Sequence, residues 1–253
     1  MGAALERIMK MLELSHTDET VFPSTDLYNE GWMLRLVLSL ASEGIDGLPF
    51  KFLPGARWFS ETLIDSPFHS RFRGDPRAEG QTHLDSAIGH FDFRPGTKAA
   101  LNIISDATQF VVIEAKMFSA LSSRTTNAWG YDQAARTVAC MAWAISRSKR
   151  AVKDFDSLGF YVVAPIKQID SGVFSSKIEK DSIREKVSRR VDSYTETDAL
   201  TRLMKWHKDF FLPTLERADI SCVTWESVIE KIGDPAVQSF YDRCLKFNDP
   251  HLA

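Results

Sequence analysis

The decapeptide QFVVIEAKMF, residues 109–118, constrains this chain more than any other stretch. Its Val, Ile and Phe favour an extended strand, and strand side chains alternate between faces. Phe110, Val112, Glu114, Lys116 and Phe118 therefore share one face, and Val111, Ile113, Ala115 and Met117 share the other. Two largely apolar faces need cover on both sides, which predicts a central strand inside a layered α/β arrangement. A carboxylate and an ammonium two residues apart then project the same way out of a segment that should be buried. Buried charges are costly unless they are paired or bound to a metal. Either the strand end emerges into solvent and carries a surface pair, or the two groups belong to a site.

The rest of the chain narrows the choice. Its 253 residues, 44% hydrophobic and 26% charged, suit one large domain spanning 1–253. A net charge of −3 offers no global positive field, so any nucleic-acid contact needs a local patch. Cys140, Cys222 and Cys244 are odd in number and far apart; they form neither a disulfide framework nor a zinc knuckle, and a reducing cytoplasm is expected. The opening MGAALERIMKMLELSH has early acids and no long apolar run, unlike a secretory signal. Glu6 stands where a myristoylation motif wants Ser or Thr. No stretch of 18 apolar residues occurs, so no membrane span is expected.

Periodicity and punctuation predict helices over 3–14 and 26–43, the second capped from Ser24, Thr25 or Asp26 and stopped at Gly44. Residues 45–80, rich in Pro, Gly and aromatics, read as loop. A strand at 82–93 follows, then a turn region with a short strand near 100–104, then the strand 109–118. A helix at 128–148, a strand at 158–165 ended by Pro165, helices at 175–193 and 197–217, a strand at 220–225 and two closing helices complete the chain. The expectation is a mixed sheet flanked by helices.

Two further carboxylates stand out. Glu30 falls inside the apolar stripe Leu27, Leu34, Val37, Leu38 and Ala41. It either sits at the edge of that stripe in solvent or aims inward at a cation. On the strand 82–93, Asp85 shares a face with Ala87, Gly89, Phe91 and Phe93, and Asp92 lies on the opposite face. Antiparallel pairing about a turn centred near residue 101 sets Asp85 across from about residue 117 and Asp92 across from about residue 110. Asp85 is then the aspartate that meets Glu114, with Asp92 as the fallback if the register slips. Two carboxylates beside the Lys116 amine suit Mg²⁺ or Mn²⁺ rather than zinc. A zinc group of His83, Asp85, His90 and Asp92 fails on alternation, which puts two of the four on each face.

The combined set resembles the PD-(D/E)XK nuclease superfamily, with its restriction-endonuclease-like mixed β-sheet core flanked by α-helices. Asp85 matches the strand Asp, Glu114-Ala115-Lys116 the Glu-x-Lys, Glu30 the acid of the preceding helix and Gln133 the Gln of the following one. His83-Leu84 replaces the motif's proline. The resemblance covers about residues 26–165. It implies a metal-dependent nuclease that hydrolyses phosphodiester bonds, DNA ahead of RNA. Asp85, Glu114 and the Ala115 carbonyl would hold the ion, and Lys116 would manage the water. Glu30 would support a second ion or the first ion's waters, and Gln133 would sit beside the site or touch substrate. Dimerisation is common in that superfamily, which makes a homodimer a candidate assembly. An inactive nucleic-acid- or protein-binding module on the same fold is the alternative.

Other stretches carry weaker signals. Ser119, Ser122, Arg124 and Thr125 in SALSSRTTN either contact phosphates or form an ordinary loop. Asn127 and Tyr131 either line the same cleft or cap and pack. The segment KIEKDSIREKVSRR, 177–190, either follows a phosphate backbone or is a solvated face with internal ion pairs. No phosphate-binding glycine loop and no nucleophile elbow is present.

Overall fold

In the computed structural model, which describes residues 2–17, 21–123 and 128–250, the strand QFVVIEA is buried along its whole length. The elements run α1 Ala3–His16, a 3₁₀ turn Ser24–Asp26, α2 Glu30–Ala41, β1 Arg57–Ile64, β2 Thr82–Gly89, β3 Phe91–Phe93, β4 Leu101–Ile103 and β5 Gln109–Ala115. Then come α3 Gln133–Arg147, β6 Ser157–Ala164, α4 Ile166–Asp170, α5 Ser175–Ile178, α6 Lys180–Asp192, α7 Thr197–Trp206, α8 Leu212–Arg217, β7 Asp219–Thr224, α9 Trp225–Ile232 and α10 Pro235–Asn248. One five-stranded mixed sheet has the order β1-β2-β5-β6-β7. Its first three strands are antiparallel neighbours, and β5, β6 and β7 are parallel.

Alternation along β5 builds the two cores. Phe110 and Val112 pack with Leu84, Ala87, Phe160 and Val162 under the nearly all-buried α3 and under α6. Val111, Ile113 and Ala115 pack with Ile88, Tyr161 and Val163 under α2, α9 and α10. The expected helix–sheet–helix layering is thus observed. No helix among the described residues is long and apolar enough to cross a membrane.

Four local expectations need correction. Residues 45–80 contain β1, an edge strand whose first half is largely solvent-facing, so its apolar alternation is faint. The second helix begins at Glu30, because the Asn29 side chain, and not Ser24, Thr25 or Asp26, accepts the N–H of Trp32. The strand 82–93 breaks at Gly89, whose φ of +146° and backbone contact with Gln109 admit no side chain. Beyond it, β3 pairs with β4 in a separate hairpin that carries Asp92 away. Finally, Ser86 pairs with Ile113, so the register continues to place Asp85 opposite Glu114 and not near residue 117. Turn centring misled here because the excursion 90–108 is an inserted hairpin and not a simple turn.

Candidate active site

The β2–β5 ladder ends at Ser86 and Ile113. One residue further, the Asp85 side chain replaces the backbone partner: its Oδ2 accepts the N–H of Ala115 at 2.8 Å. The two strands part there, and the gap holds the acidic groups. Glu114 is 1% exposed. Its Oε1 accepts from Lys116 Nζ at 2.5 Å and from Gln133 Nε2. Its Oε2 is buried with no hydrogen-bond partner. Lys116 Nζ also lies 4.0 Å from Asp85 Oδ2. Asp85, Glu114, Lys116 and Gln133, which span 49 positions of sequence, therefore meet at one point.

Each of these groups is held by its own element. Lys116 follows β5 directly; its N–H donates to Val163 O (2.8 Å) and its carbonyl accepts the indole N–H of Trp225 (3.0 Å). The chain then turns sharply at Phe118, a non-glycine residue with φ of +69°. Gln168 braces that turn, accepting from Phe118 N (3.1 Å) and donating to Ser119 O (2.8 Å). Gln133 opens α3 and exchanges two bonds with the Ser122 backbone, both 3.0 Å, which aims its amide at Glu114. Asp132 beside it caps the helix through Ala135 N.

Electrostatics follow from burial and crowding. Burial first, and the Asp85 carboxylate second, push the Glu114 carboxyl up to about 8 against the opposing pull of Lys116. Burial also opposes the Lys116 charge, but Glu114, Asp85 and Glu30 together outweigh it and hold its pKa above the ordinary lysine value. Lys116 is therefore the cation that offsets the two carboxylates.

Glu30 is the first residue of α2, half-buried, and it lines an open cleft of about 420 Å³ together with Asp85, Trp32, Arg35 and Glu61. Its place at the helix start, and not mid-stripe, is what brings it to the rim of that cleft. Sequence reasoning missed Glu61, which pairs with Arg35 at 3.4 Å and has a φ of +56° where β1 passes Asp85. It also missed the bracing residues Trp225 and Gln168. Nothing in the local pattern announces any of them.

The fallback aspartate is excluded. Asp92 has a side chain 72% exposed, ion-paired to Arg57 at 2.7 Å. His90 is structural: its Nδ1 accepts from the N–H groups of Thr108 and Gln109, and its Nε2 faces Pro54 O. Ser119 and Ser122 are exposed beside the site, with their backbones committed to Gln168 and Gln133. Arg124, Thr125 and Asn127 lie outside the described residues. Tyr131 packs edge-on against Phe68 in the core.

The donor set fits a hard divalent cation. Among the described residues, no three His, Cys, Asp or Glu side chains gather closely enough to hold a metal ion by themselves. Magnesium is commonly held by one or two carboxylates and keeps several waters. Asp85, Glu114 with its unpartnered Oε2, and the adjoining cleft for water supply that arrangement. The chain matches no protein-family model, no curated protein and no solved structure.

Proposed function

We propose that this protein is a metal-dependent phosphodiesterase that hydrolyses nucleic acid, DNA ahead of RNA, on a restriction-endonuclease-like scaffold. The observation that carries this reading is the buried, half-unpartnered Glu114 carboxylate facing Asp85, with the Lys116 ammonium against both. Bound Mg²⁺ or Mn²⁺ would polarise a phosphoryl oxygen and acidify a coordinated water.

Asp85 and Glu114 would hold that ion through their carboxylates, joined by the Ala115 carbonyl, and Glu30 would hold its waters from across the cleft. Gln133 keeps Glu114 turned inward through the amide bond to Oε1. Lys116 is held in the charged form, so its part is to stabilise the negative charge that grows on the phosphate and not to remove a proton. Asp85 meanwhile retains its bond to Ala115 N, which fixes one carboxylate oxygen and leaves the other to a ligand.

The experiment is cleavage of plasmid and single-stranded DNA with Mg²⁺, with Mn²⁺ and with EDTA, for wild type and Lys116→Ala. Cleavage that needs the metal and falls at least 100-fold in the variant is expected, in line with the loss of one charge-stabilising donor. Equal behaviour of the two proteins in all conditions would falsify the assignment.

A further inference from the structure

The cleft shared by Glu30 and Asp85 holds one aromatic ring among the described residues, that of Trp32. Trp32 is 45% exposed although it lines a concave wall. An indole is a large apolar surface, and a wall of carboxylates gives it no apolar cover. Its position is fixed from two sides. Its backbone N–H donates to the Asn29 side chain at 3.0 Å, which sets the first turn of α2. The Arg35 guanidinium lies over the ring, 5.0 Å from its centroid, and is itself held by Ser60 Oγ at 2.9 Å and by Glu61 at 3.4 Å. Arg35 is thus a support under one face, and the exposed surface belongs to the remainder of the residue.

Gly31 stands between Glu30 and Trp32, so no side chain there divides the acidic end of the cleft from the indole. A Cβ at that position would lie 3.3 Å from Asn29 Oδ1 and 3.4 Å from an Arg35 nitrogen. Charge sorts what can enter. Glu30, Glu61 and Asp85 outnumber Arg35, so a phosphate is drawn in only by a cation that the carboxylates hold. A flat, uncharged ring meets no such barrier, and the nucleobase beside that phosphate is such a ring.

We infer that Trp32 is the base-stacking residue of the proposed nuclease: the ring face away from Arg35 takes the nucleobase next to the phosphodiester at Asp85 and Glu114. Inside an intact duplex both faces of a base are already stacked, so the substrate is a strand unpaired at the point of cleavage. This inference rests on the nucleic-acid reading of the site, and it requires no ion pair to open.

The test is binding of a fluorescein-labelled oligothymidylate and of a duplex of equal length, read by anisotropy with Ca²⁺ in place of Mg²⁺ so that the strands stay whole. Wild type is expected to prefer the single strand. Trp32→Ala is expected to weaken that binding about fivefold or more, the scale of one stacked base, while Trp32→Phe, which keeps a ring, stays within about twofold of wild type. Duplex affinity is expected to be the same in all of them. Trp32→Leu, which keeps apolar bulk without an aromatic face, carries the comparison if circular dichroism shows the alanine variant unfolded. Single-strand affinity of the alanine or leucine variant within twofold of wild type overturns the inference, as does a wild type that prefers the duplex or binds neither. If wild type cleaves with Mg²⁺ but these variants bind as it does, the stacking role falls and the nuclease stands. If the variants lose single-strand binding and wild type never cleaves, the stacking role stands and the nuclease falls.

Discussion

Replacing Glu114 by glutamine should make the metal-free protein more stable, and the gain should depend on pH. Glu114 is buried, has one oxygen without a partner, and faces Asp85. Its carboxyl moves from 4.5 to about 8 on folding, so the folded state holds a proton that the unfolded chain releases between those values. Stability from this group is complete below about pH 4.5 and is lost as the pH rises through about 8. At about 1.4 kcal/mol for each tenfold change in proton activity, the ceiling is on the order of 5 kcal/mol. That shift is already net of the Lys116 pull, but Glu114→Gln also takes from the buried Lys116 its nearest carboxylate and leaves it Asp85 at 4.0 Å, which cuts the expected benefit near pH 8.5 to about 2 kcal/mol. For a chain of this size that is a rise of roughly 4–8 °C in Tm. Near pH 5 the two proteins should converge. Mn²⁺ at about 100 times its Kd should then reverse the order, adding about 2.7 kcal/mol to wild type and little to the variant. Thermal melts at both pH values, with Mn²⁺ and with EDTA, read all four quantities. A variant that is destabilised at pH 8.5, or a wild type whose Tm does not fall relative to it between pH 5 and 8.5, refutes the account of a strained, metal-seeking carboxylate.

Three other substitutions probe the supports. Gln133→Ala removes the amide that turns Glu114 inward, and Mn²⁺ affinity by calorimetry should fall about tenfold or more; an unaltered Kd would detach Gln133 from the site. Gly89→Ala would place a Cβ 2.2 Å from the Gln109 carbonyl oxygen at a φ of +146°, and denaturant titration should record a loss of about 3 kcal/mol or more. Retained stability there would mean that β2 can continue straight. Glu79→Ala strips the buried guanidinium of Arg190, 6% exposed, of its carboxylate, at a cost of about 3–5 kcal/mol by the same titration; a loss under about 1 kcal/mol would show that the Arg77 carbonyl, which Arg190 also meets at 2.6 Å, suffices alone.

What could be read from residues alone was whatever alternation or spacing writes into the chain. Two apolar faces on residues 109–117 forced a covered central strand, and the same alternation aimed Glu114 at the α3 side, where Gln133 waits. Asp85 was chosen over Asp92 through a register that proved wrong by three positions, and strict alternation also fails there: Leu84 and Ala87, on either side of Asp85 and expected on opposite faces, pack in the same core as Val112. The register itself was not legible, because Gly89 ends β2 only through a clash with Gln109 that needs the tertiary fold to exist. Glu30 was visible as a misplaced acid, but its direction depends on Asn29 starting the helix there. The residues that make the site rigid were invisible for a different reason. Trp225 and Gln168 act through indole and amide bonds to Lys116 and Phe118 across 109 and 50 positions, and Ser122, singled out for its hydroxyl, serves Gln133, 11 positions on, through its backbone. Such contacts follow no period, and one polar residue among many gives no sign of them. The meeting of Asp85, Glu114, Lys116 and Gln133 was therefore readable and its support was not, which puts the weight of proof on substitutions at the support. If Gln133→Ala and Glu114→Gln both lower metal affinity while only Glu114→Gln raises metal-free stability, the carboxylate carries the strain and the amide merely directs it. If both raise stability, the crowding belongs to the whole gap between β2 and β5, and Gln133 shares in creating it.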